Sequence, residues 1–145
     1  MVDQQVIEQH LQNMEEALAN LSRYRSLSLE EFEKDLSLIW IAEKGLQILI
    51  QNLLDIGAHL LASEIRNDWD DYAEIILKLG QHGIIPKDFS EKIQGMAGLR
   101  NILIHEYLRV DVSKICDLLK KRMGDFTEFM SYVQSYLDRR TKGDV

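Results

Sequence analysis

The chain has 145 residues and a mass of 16.9 kDa, a size that suits a single domain spanning residues 1–145. Hydrophobic residues make up 46% of it, which excludes a disordered chain. The net charge of −7 argues against a uniformly basic nucleic-acid-binding protein. That charge is unevenly distributed, because residues 1–71 carry 14 acidic and 5 basic side chains, whereas residues 72–145 carry 10 and 12. All of the excess negative charge therefore lies in the first half.

The expected compartment is the cytoplasm. Since the one cysteine, Cys116, cannot form an internal disulfide, it fits a reducing environment. The N-terminal segment has neither a basic start nor an apolar run, so it does not resemble a secretory signal. The most apolar stretch, Leu36 to Ala62, contains too many polar side chains to cross a membrane as a lone helix. We therefore expect a soluble protein that does not bind a membrane.

The hydrophobic pattern predicts an all-α fold, an up-and-down bundle of four to five helices. There are a single proline and 8 glycines, and apolar residues recur at intervals of three and four rather than two. A first helix is expected from about Gln4 to Tyr24. The segment Ser28-Leu-Glu-Glu31 has the spacing of a capping box and predicts the start of a long second helix, which continues to about Ser63.

The second helix is expected to have a polar and an apolar side. At about 100° per residue, its polar side carries Lys44, Gln47, Gln51, Asp55 and His59. The opposite side, expected to be core, carries Leu46, Leu49, Ile50, Leu53 and Leu60. Gly57 costs the helix about 1 kcal/mol relative to alanine, and this cost is explained most easily if another backbone packs closely against it.

Three further helices are expected, and Gly83 with Pro86 marks the end of the first of them. Pro86 suits the first turn of a helix, where its missing amide leaves no hydrogen bond unmade. The predicted ranges are a third helix from a cap at Asn67 or Asp68 to Leu79, a fourth from Pro86 to about Tyr107, and a fifth from about Val112 to Arg139.

The end of the fourth helix carries a cluster of polar side chains. It reads Arg100-Asn101-Ile102-Leu103-Ile104-His105-Glu106-Tyr107, and Arg100 falls within the apolar stripe of the helix. A permanently charged guanidinium in that position needs a partner or a bound anion. One alternative is a structural ion pair of Arg100 with Asp55 or Glu43 of the second helix, with His105 a partly buried histidine whose hydrogen bonds are satisfied.

The angular spacing of this cluster raises a geometric question. Asn101 and His105 lie on one face, but Arg100 and His105 are about 140° apart around an ideal helix. The two side chains can converge if the helix loosens near His105, or if two copies of it meet across a two-fold axis. On the second helix, Asp55 and His59 are four residues apart, a spacing more often found in a helix-surface pair than in a catalytic dyad. We therefore treat Asp55 and His59 only as possible accessory residues.

The chain has none of the usual metal-binding motifs.

The spacing Arg100-x4-His105-x-Tyr107 at the end of an apolar helix resembles the signature of the HepT-like toxins, which belong to the HEPN superfamily of helical-bundle ribonucleases. The second helix adds to the likeness, because Ala42-Glu43-Lys44-Gly45-Leu46-Gln47 and Asp55-Ile-Gly-Ala-His59-Leu60 resemble the pattern of that family. The resemblance covers nearly the whole chain and implies an HEPN-like fold.

The resemblance implies a homodimeric, metal-independent endoribonuclease that needs no cofactor and acts on cellular RNA, either tRNA or mRNA. Arg100 and His105 would then be the catalytic pair. His105 would take a proton from a ribose 2′-hydroxyl or give one to the leaving oxygen, and Arg100 would stabilise charge on the phosphoryl oxygens. Asn101 would position His105 or the phosphate.

The resemblance also implies a toxin-antitoxin pair. The partner of HepT-like toxins is a minimal nucleotidyltransferase, the MntA antitoxin, which transfers AMP units onto the motif tyrosine, here Tyr107. Phosphodiester charge beside Arg100 and His105 would block RNA entry. Two alternatives remain: a non-catalytic helical partner or substrate-docking subunit for such a nucleotidyltransferase, and a purely structural bundle.

The second half of the chain also has basic residues near this motif. We expect them to form a local basic rim that gives modest, salt-sensitive RNA affinity. These residues are Arg109, Lys114, Lys120, Lys121 and Arg122.

Overall fold

The computed structural model describes residues 2–64, 69–105 and 111–143, and every regular element in them is helical. The predicted all-α fold is confirmed. The α-helices α1 to α8 are Gln4–Ser22, Leu29–Lys34, Leu36–Glu64, Tyr72–Gln81, Lys87–Ile93, Met96–Ile104, Val112–Asp117 and Met123–Gly143, and a π-helical turn, Leu118–Arg122, joins α7 to α8. Each predicted helical range contains helix, but two of the ranges are interrupted.

The predicted second helix is divided at Asp35. Its start is correct, because the Ser28 hydroxyl accepts a hydrogen bond from the amide of Glu31, whose carboxylate accepts from the Ser28 amide. The prediction of one continuous helix is wrong, since Asp35 has extended backbone angles and separates α2 from α3. The Asp35 carboxylate accepts from the Ser37 amide, which supplies an acceptor to the first turn of α3.

The third helix begins later than predicted. Asp71 caps α4 by accepting from the amide of Glu74, so the cap is neither Asn67 nor Asp68, both of which lie outside the described residues. The helix stops before Gly83, whose φ of 74° is a left-handed conformation that favours glycine.

The predicted fourth helix is also interrupted. Pro86 is the N-cap of α5 and not a residue of its first turn, and a turn at Gln94 and Gly95 separates α5 from α6. Glycine's low helix propensity favours an interruption there. The helix ends at Ile104, three residues before the predicted end at Tyr107, which lies outside the described residues.

The fifth predicted helix starts where expected. Asp111 caps α7 through its carboxylate, which accepts from the amide of Ser113. The π-helical turn widens the helix before α8, and helical structure continues to Gly143, beyond the predicted end at Arg139.

Helix α3 lies at the centre of the bundle and packs antiparallel to α1. The amide of Asp3 donates to His59 Nε2 near the end of α3, whereas Leu21 lies against Gly45 near its beginning. The predicted apolar side of α3 is fully buried, with Leu46, Leu49, Ile50, Leu53 and Leu60 all at 0% exposure.

Two glycines of α3 mark close helix contacts. A Cβ added at Gly45 would approach Leu21 Cδ2 to 2.5 Å, and one at Gly57 would approach Ile75 Cγ2 to 2.8 Å. The expectation that a backbone packs against Gly57 is therefore wrong, because its closest neighbours are the side chains of Ile75 and Leu79 on α4.

Among the described residues, α3 is the one helix long and apolar enough to span a membrane by length and composition. Of its most apolar window, 56% is buried against the rest of the protein, as happens in the core helix of a helical bundle.

Candidate active site around Arg100

Arg100 projects from α6 toward α3 and α4 and is partly buried. Its Nε donates to Gln51 Oε1 on α3 at 2.9 Å, and its Nη1 donates to Asn101 Oδ1 at 3.2 Å. The guanidinium carbon lies 4.2 Å from the centroid of the Tyr72 ring at the start of α4, a cation–π contact. Three helices thus hold one cation in place.

Gln51 is itself held by a second hydrogen bond. Its Nε2 donates to Asp55 Oδ1 at 2.9 Å, so the amide connects the carboxylate of Asp55 with the guanidinium of Arg100. The predicted alternative of a direct ion pair does not occur, because no carboxylate of the described residues lies within 4 Å of Arg100. Glu43, the other proposed partner, is partly buried, and burial raises the pKa of its carboxyl.

His105 stands at the point where α6 ends. Its φ of −81° and ψ of 97° are extended, and its amide still donates to the Asn101 carbonyl at 3.3 Å. The side chain is exposed. The helix therefore ends at His105, but the extended ψ angle turns only the part of the chain that follows this residue. Because φ stays close to the helical value and the amide keeps its helical hydrogen bond, the side chain of His105 remains about 140° from that of Arg100 around the helix axis.

Asn101 serves Arg100 directly. Its amide oxygen accepts from Nη1, so this side chain orients the guanidinium and, among the described residues, shows no hydrogen bond to the His105 side chain. Asn101 also belongs to an exposed strip of α6 at intervals of three and four. The strip consists of Gly98, Asn101, Ile102 and His105.

The possible accessory residues, Asp55 and His59, form hydrogen bonds with different partners. Asp55 bonds to Gln51, whereas His59 Nε2 accepts from the backbone amide of Asp3 at 3.1 Å. Within the described part of the chain they do not hydrogen bond to each other, so they form no dyad. Asp55 contacts the site through Gln51, and His59 supports the junction of α1 and α3.

A groove of about 350 Å³ runs along the side of α6 opposite Arg100, and Gly98 and Ile102 of the exposed strip line it. Its cationic lining residues in the described part of the chain are Lys92, Lys114 and Arg122, of which Lys114 and Arg122 belong to the predicted basic rim. The buried carboxylate of Asp125 holds Lys92 at 3.1 Å and Arg122 at 2.6 Å. Of the other predicted rim residues, Lys121 pairs with Asp117, and Arg109 lies outside the described residues.

Metal binding receives no support from the described ranges. Within residues 2–64, 69–105 and 111–143, no three His, Cys, Asp or Glu side chains are placed to hold a metal ion. Cys116 is buried, as expected of a small apolar side chain, and burial raises the pKa of its thiol.

Two residues that contact Arg100, Gln51 and Tyr72, were not predicted from the sequence. Gln51 lay on the predicted polar side of α3, and its spacing of four from Asp55 was a local signal for that hydrogen bond. Its contact with Arg100, and the contact of Tyr72, depend on how three helices pack. Tyr107, the predicted modification site, lies outside the described residues.

A family model described as Ribonuclease HepT-like matches residues 14–133. The chain belongs to this family. The resemblance carried by the Arg100 motif, and the enzyme class it implied, ribonuclease, are confirmed.

Known relatives cover most of the chain. It is 25% identical over 132 residues to the tRNA nuclease HepT of Aphanizomenon flos-aquae, covering 91% of this chain and 90% of that protein. It is 22% identical over 105 residues to the mRNA nuclease HepT of Shewanella oneidensis, covering 72% and 79%. A tri-AMPylated Shewanella oneidensis HEPN toxin, solved in complex with an MNT antitoxin, aligns with a TM-score of 0.81 at 19% identity, covering 93% and 99%. This structural match confirms the HEPN-like fold.

Proposed function

We propose that this protein is the toxin of a toxin-antitoxin pair and a metal-independent endoribonuclease of the cytoplasm that uses Arg100 and His105. The observation that carries the proposal is the way Arg100 is held. Its partners are an amide oxygen on α3, an amide oxygen on α6 and an aromatic ring, all of them neutral. Since no carboxylate of the described residues neutralises it at close range, its charge is available to a phosphodiester.

The proposed reaction is transfer of the phosphoryl group to the ribose 2′-oxygen. His105 accepts the 2′-hydroxyl proton while the 2′-oxygen bonds to phosphorus and the bond to the 5′-oxygen breaks. The departing 5′-oxygen takes up a proton from water to become a 5′-hydroxyl, the other fragment ends in a 2′,3′-cyclic phosphate, and His105 releases its proton to the solvent. Arg100 stabilises the charge that develops on the non-bridging oxygens, and a histidine exchanges protons readily near neutral pH.

The proposed enzyme is a homodimer whose motif helices meet. The exposed strip of α6 supports this arrangement, because it places the apolar side chain of Ile102 and a glycine, Gly98, on the face that carries His105. An added Cβ at Gly98 would meet no atom within 4 Å in the single chain, so a second helix has room to approach. We expect Ile102→Glu to convert a dimer into a monomer in sedimentation velocity. A wild-type chain that is monomeric at all concentrations would contradict the dimer.

The proposed antitoxin is an MntA-like nucleotidyltransferase that attaches AMP to Tyr107. The AMPylated toxin among the structural relatives supports this by family likeness. Only one residue, Glu106, separates Tyr107 from His105 in the sequence, so an added phosphodiester would lie near the proposed catalytic groups. Co-expression with the antitoxin should add multiples of the AMP mass, and Tyr107→Phe should abolish the addition. An unchanged intact mass in the wild type would refute this part.

The decisive experiment compares RNA cleavage by the wild type and by His105→Ala in excess EDTA. We expect cleavage of tRNA or mRNA by the wild type and a loss of at least about 100-fold in the variant, with an unchanged helical circular-dichroism spectrum. Equal cleavage by both proteins would refute the catalytic assignment. If the clean wild type cleaves no RNA but binds the nucleotidyltransferase, the protein is a non-catalytic partner.

A further inference from the structure

We infer that Gln51 and Tyr72 are positioning residues that fix Arg100 for catalysis, with Asp55 acting through Gln51; this inference rests on the proposed function. Neither residue belongs to the Arg-x4-His-x-Tyr motif, and they come from helices other than the one that carries Arg100. Each contacts Arg100 on a different part of the guanidinium.

The orientation of the Gln51 amide is fixed by chemistry. Its nitrogen donates to Asp55, a group that only accepts when ionised, and its oxygen accepts from Arg100, a group that only donates. The reversed amide would place its oxygen against a carboxylate and its nitrogen against a cation. Asp55 therefore determines which atom Gln51 presents, and Gln51 determines where Nε of Arg100 lies.

The contacts leave part of the guanidinium free for a ligand. Arg100 has five N–H hydrogens, of which the one on Nε and one of the two on Nη1 form hydrogen bonds. The others have no hydrogen-bond partner among the described residues. Two parallel N–H groups of a guanidinium suit the oxygens of a phosphate. Gln51 and Asn101 therefore hold one part of the guanidinium and leave the rest available to the scissile phosphate.

Tyr72 fixes the plane of the guanidinium. Its ring lies 4.2 Å from the guanidinium carbon, and its hydroxyl forms no hydrogen bond with the described residues. The ring alone therefore carries the contact, so Tyr72→Phe should preserve it and Tyr72→Leu should remove it. These two variants form a matched pair at one position.

The first experiment observes Arg100 without RNA. In the ¹⁵N NMR spectrum of the full chain, the Nε–H signal of Arg100 is assigned by its loss in Arg100→Ala. We expect slow hydrogen exchange and a ring-current shift in the wild type, because the group is hydrogen bonded and faces an aromatic ring. Gln51→Leu should accelerate the exchange, Tyr72→Leu should remove the shift, and Tyr72→Phe should keep it. Rapid exchange in the wild type, or exchange unaffected by Gln51→Leu, would overturn the inference.

The second experiment measures kcat and KM for RNA cleavage. Gln51→Leu and Tyr72→Leu should each lower kcat by about 5- to 30-fold, which is about 1–2 kcal/mol at 1.36 kcal/mol per tenfold, while KM changes little. Tyr72→Phe should retain most of the activity. The matched control is Gln134→Leu, because Gln134 makes the same amide-to-carboxylate bond, to Asp138, on α8.

The outcomes separate the two proposals. If the NMR signal responds as expected but kcat in Gln51→Leu equals that of the control, Gln51 holds Arg100 without serving catalysis and the inference is overturned. A wild type that cleaves no RNA overturns the proposed function, while the NMR result still decides whether Gln51 and Tyr72 position Arg100.

Discussion

Replacing Arg100 by alanine distinguishes a structural from a catalytic role for its guanidinium. The substitution removes the hydrogen bond to Gln51, the hydrogen bond to Asn101 and the contact with Tyr72. It leaves the bond between Gln51 and Asp55 in place, so the neighbouring side chains keep one of their contacts.

The expected loss of stability follows from those contacts. A hydrogen bond from a charged group contributes about 1.5–3 kcal/mol and a cation–π contact about 0.5–1 kcal/mol near the surface. Because the partly buried guanidinium is also released from desolvation, the net destabilisation should be about 1–2 kcal/mol. In a chain of this size that lowers the Tm by roughly 2–8 °C.

The expected loss of activity is much larger. A preorganised donor to a developing oxyanion contributes about 100- to 1000-fold to kcat. The kcat of Arg100→Ala should therefore be at least about 100-fold lower than that of the wild type, at a temperature where the variant is fully folded. The assay follows a fluorescent RNA with both proteins well below their Tm. The matched control is Arg139→Ala on α8, where another guanidinium lies 6.0 Å from the ring of Tyr136. A variant with lowered Tm but wild-type kcat would refute the catalytic role and leave Arg100 a structural residue.

Two other predictions concern stability. Gly57→Ala should lower the Tm by about 2–4 °C, because the strain of placing its Cβ against the Cγ2 methyl of Ile75, a stiff β-branched side chain, exceeds the gain in helix propensity. Gly124→Ala, whose Cβ would meet no atom within 4 Å, should raise the Tm. Equal shifts of the two variants in scanning calorimetry would contradict this reasoning. Burial raises the pKa of Glu43, so the folded state prefers its protonated form and loses stability as the pH rises through the raised pKa. Glu43→Gln should therefore have a higher Tm than the wild type at pH 7, and the two Tm values should become equal below about pH 4. A difference in Tm that does not change with pH would show that burial of the Glu43 carboxylate is not its cause.

Local signals in the sequence predicted well those parts of the fold that depend on neighbouring residues. The capping box of Ser28 and Glu31 requires residues three apart and forms as expected. The break at Asp35 was missed because apolar residues continue at helical spacing on both sides of it. What decides the break is a side chain that caps the next helix, and the same residue type is equally able to lie exposed within a helix.

Arg100 could be predicted as a candidate site residue for a different reason. Arg100 was singled out because a cation in an apolar stripe needs a partner, and the structure supplies three neutral ones. Their identity could not be derived, since Gln51 lies 49 residues away in sequence and Tyr72 enters from α4. Such contacts depend on the packing of α3, α4 and α6, which hydrophobic periodicity does not specify.

The position of His105 leaves one question that a mixing experiment answers. Arg100 points toward α3 and α4, whereas His105 belongs to the exposed strip of α6 proposed as the dimer contact. We therefore expect each active site to combine Arg100 of one chain with His105 of the other. Two separately tagged chains, one with Arg100→Ala and one with His105→Ala, are co-expressed and purified through both tags.

Such a mixed dimer has one site in which both catalytic residues are altered and one in which both are intact, if the sites are composite. Its activity should then be about half that of the wild type, although each variant alone is inactive. The control is a mixed dimer of His105→Ala with a chain carrying both substitutions, which has no intact site in either arrangement. If the first mixed dimer is as inactive as the control, no site combines Arg100 of one chain with His105 of the other, and the composite arrangement is refuted.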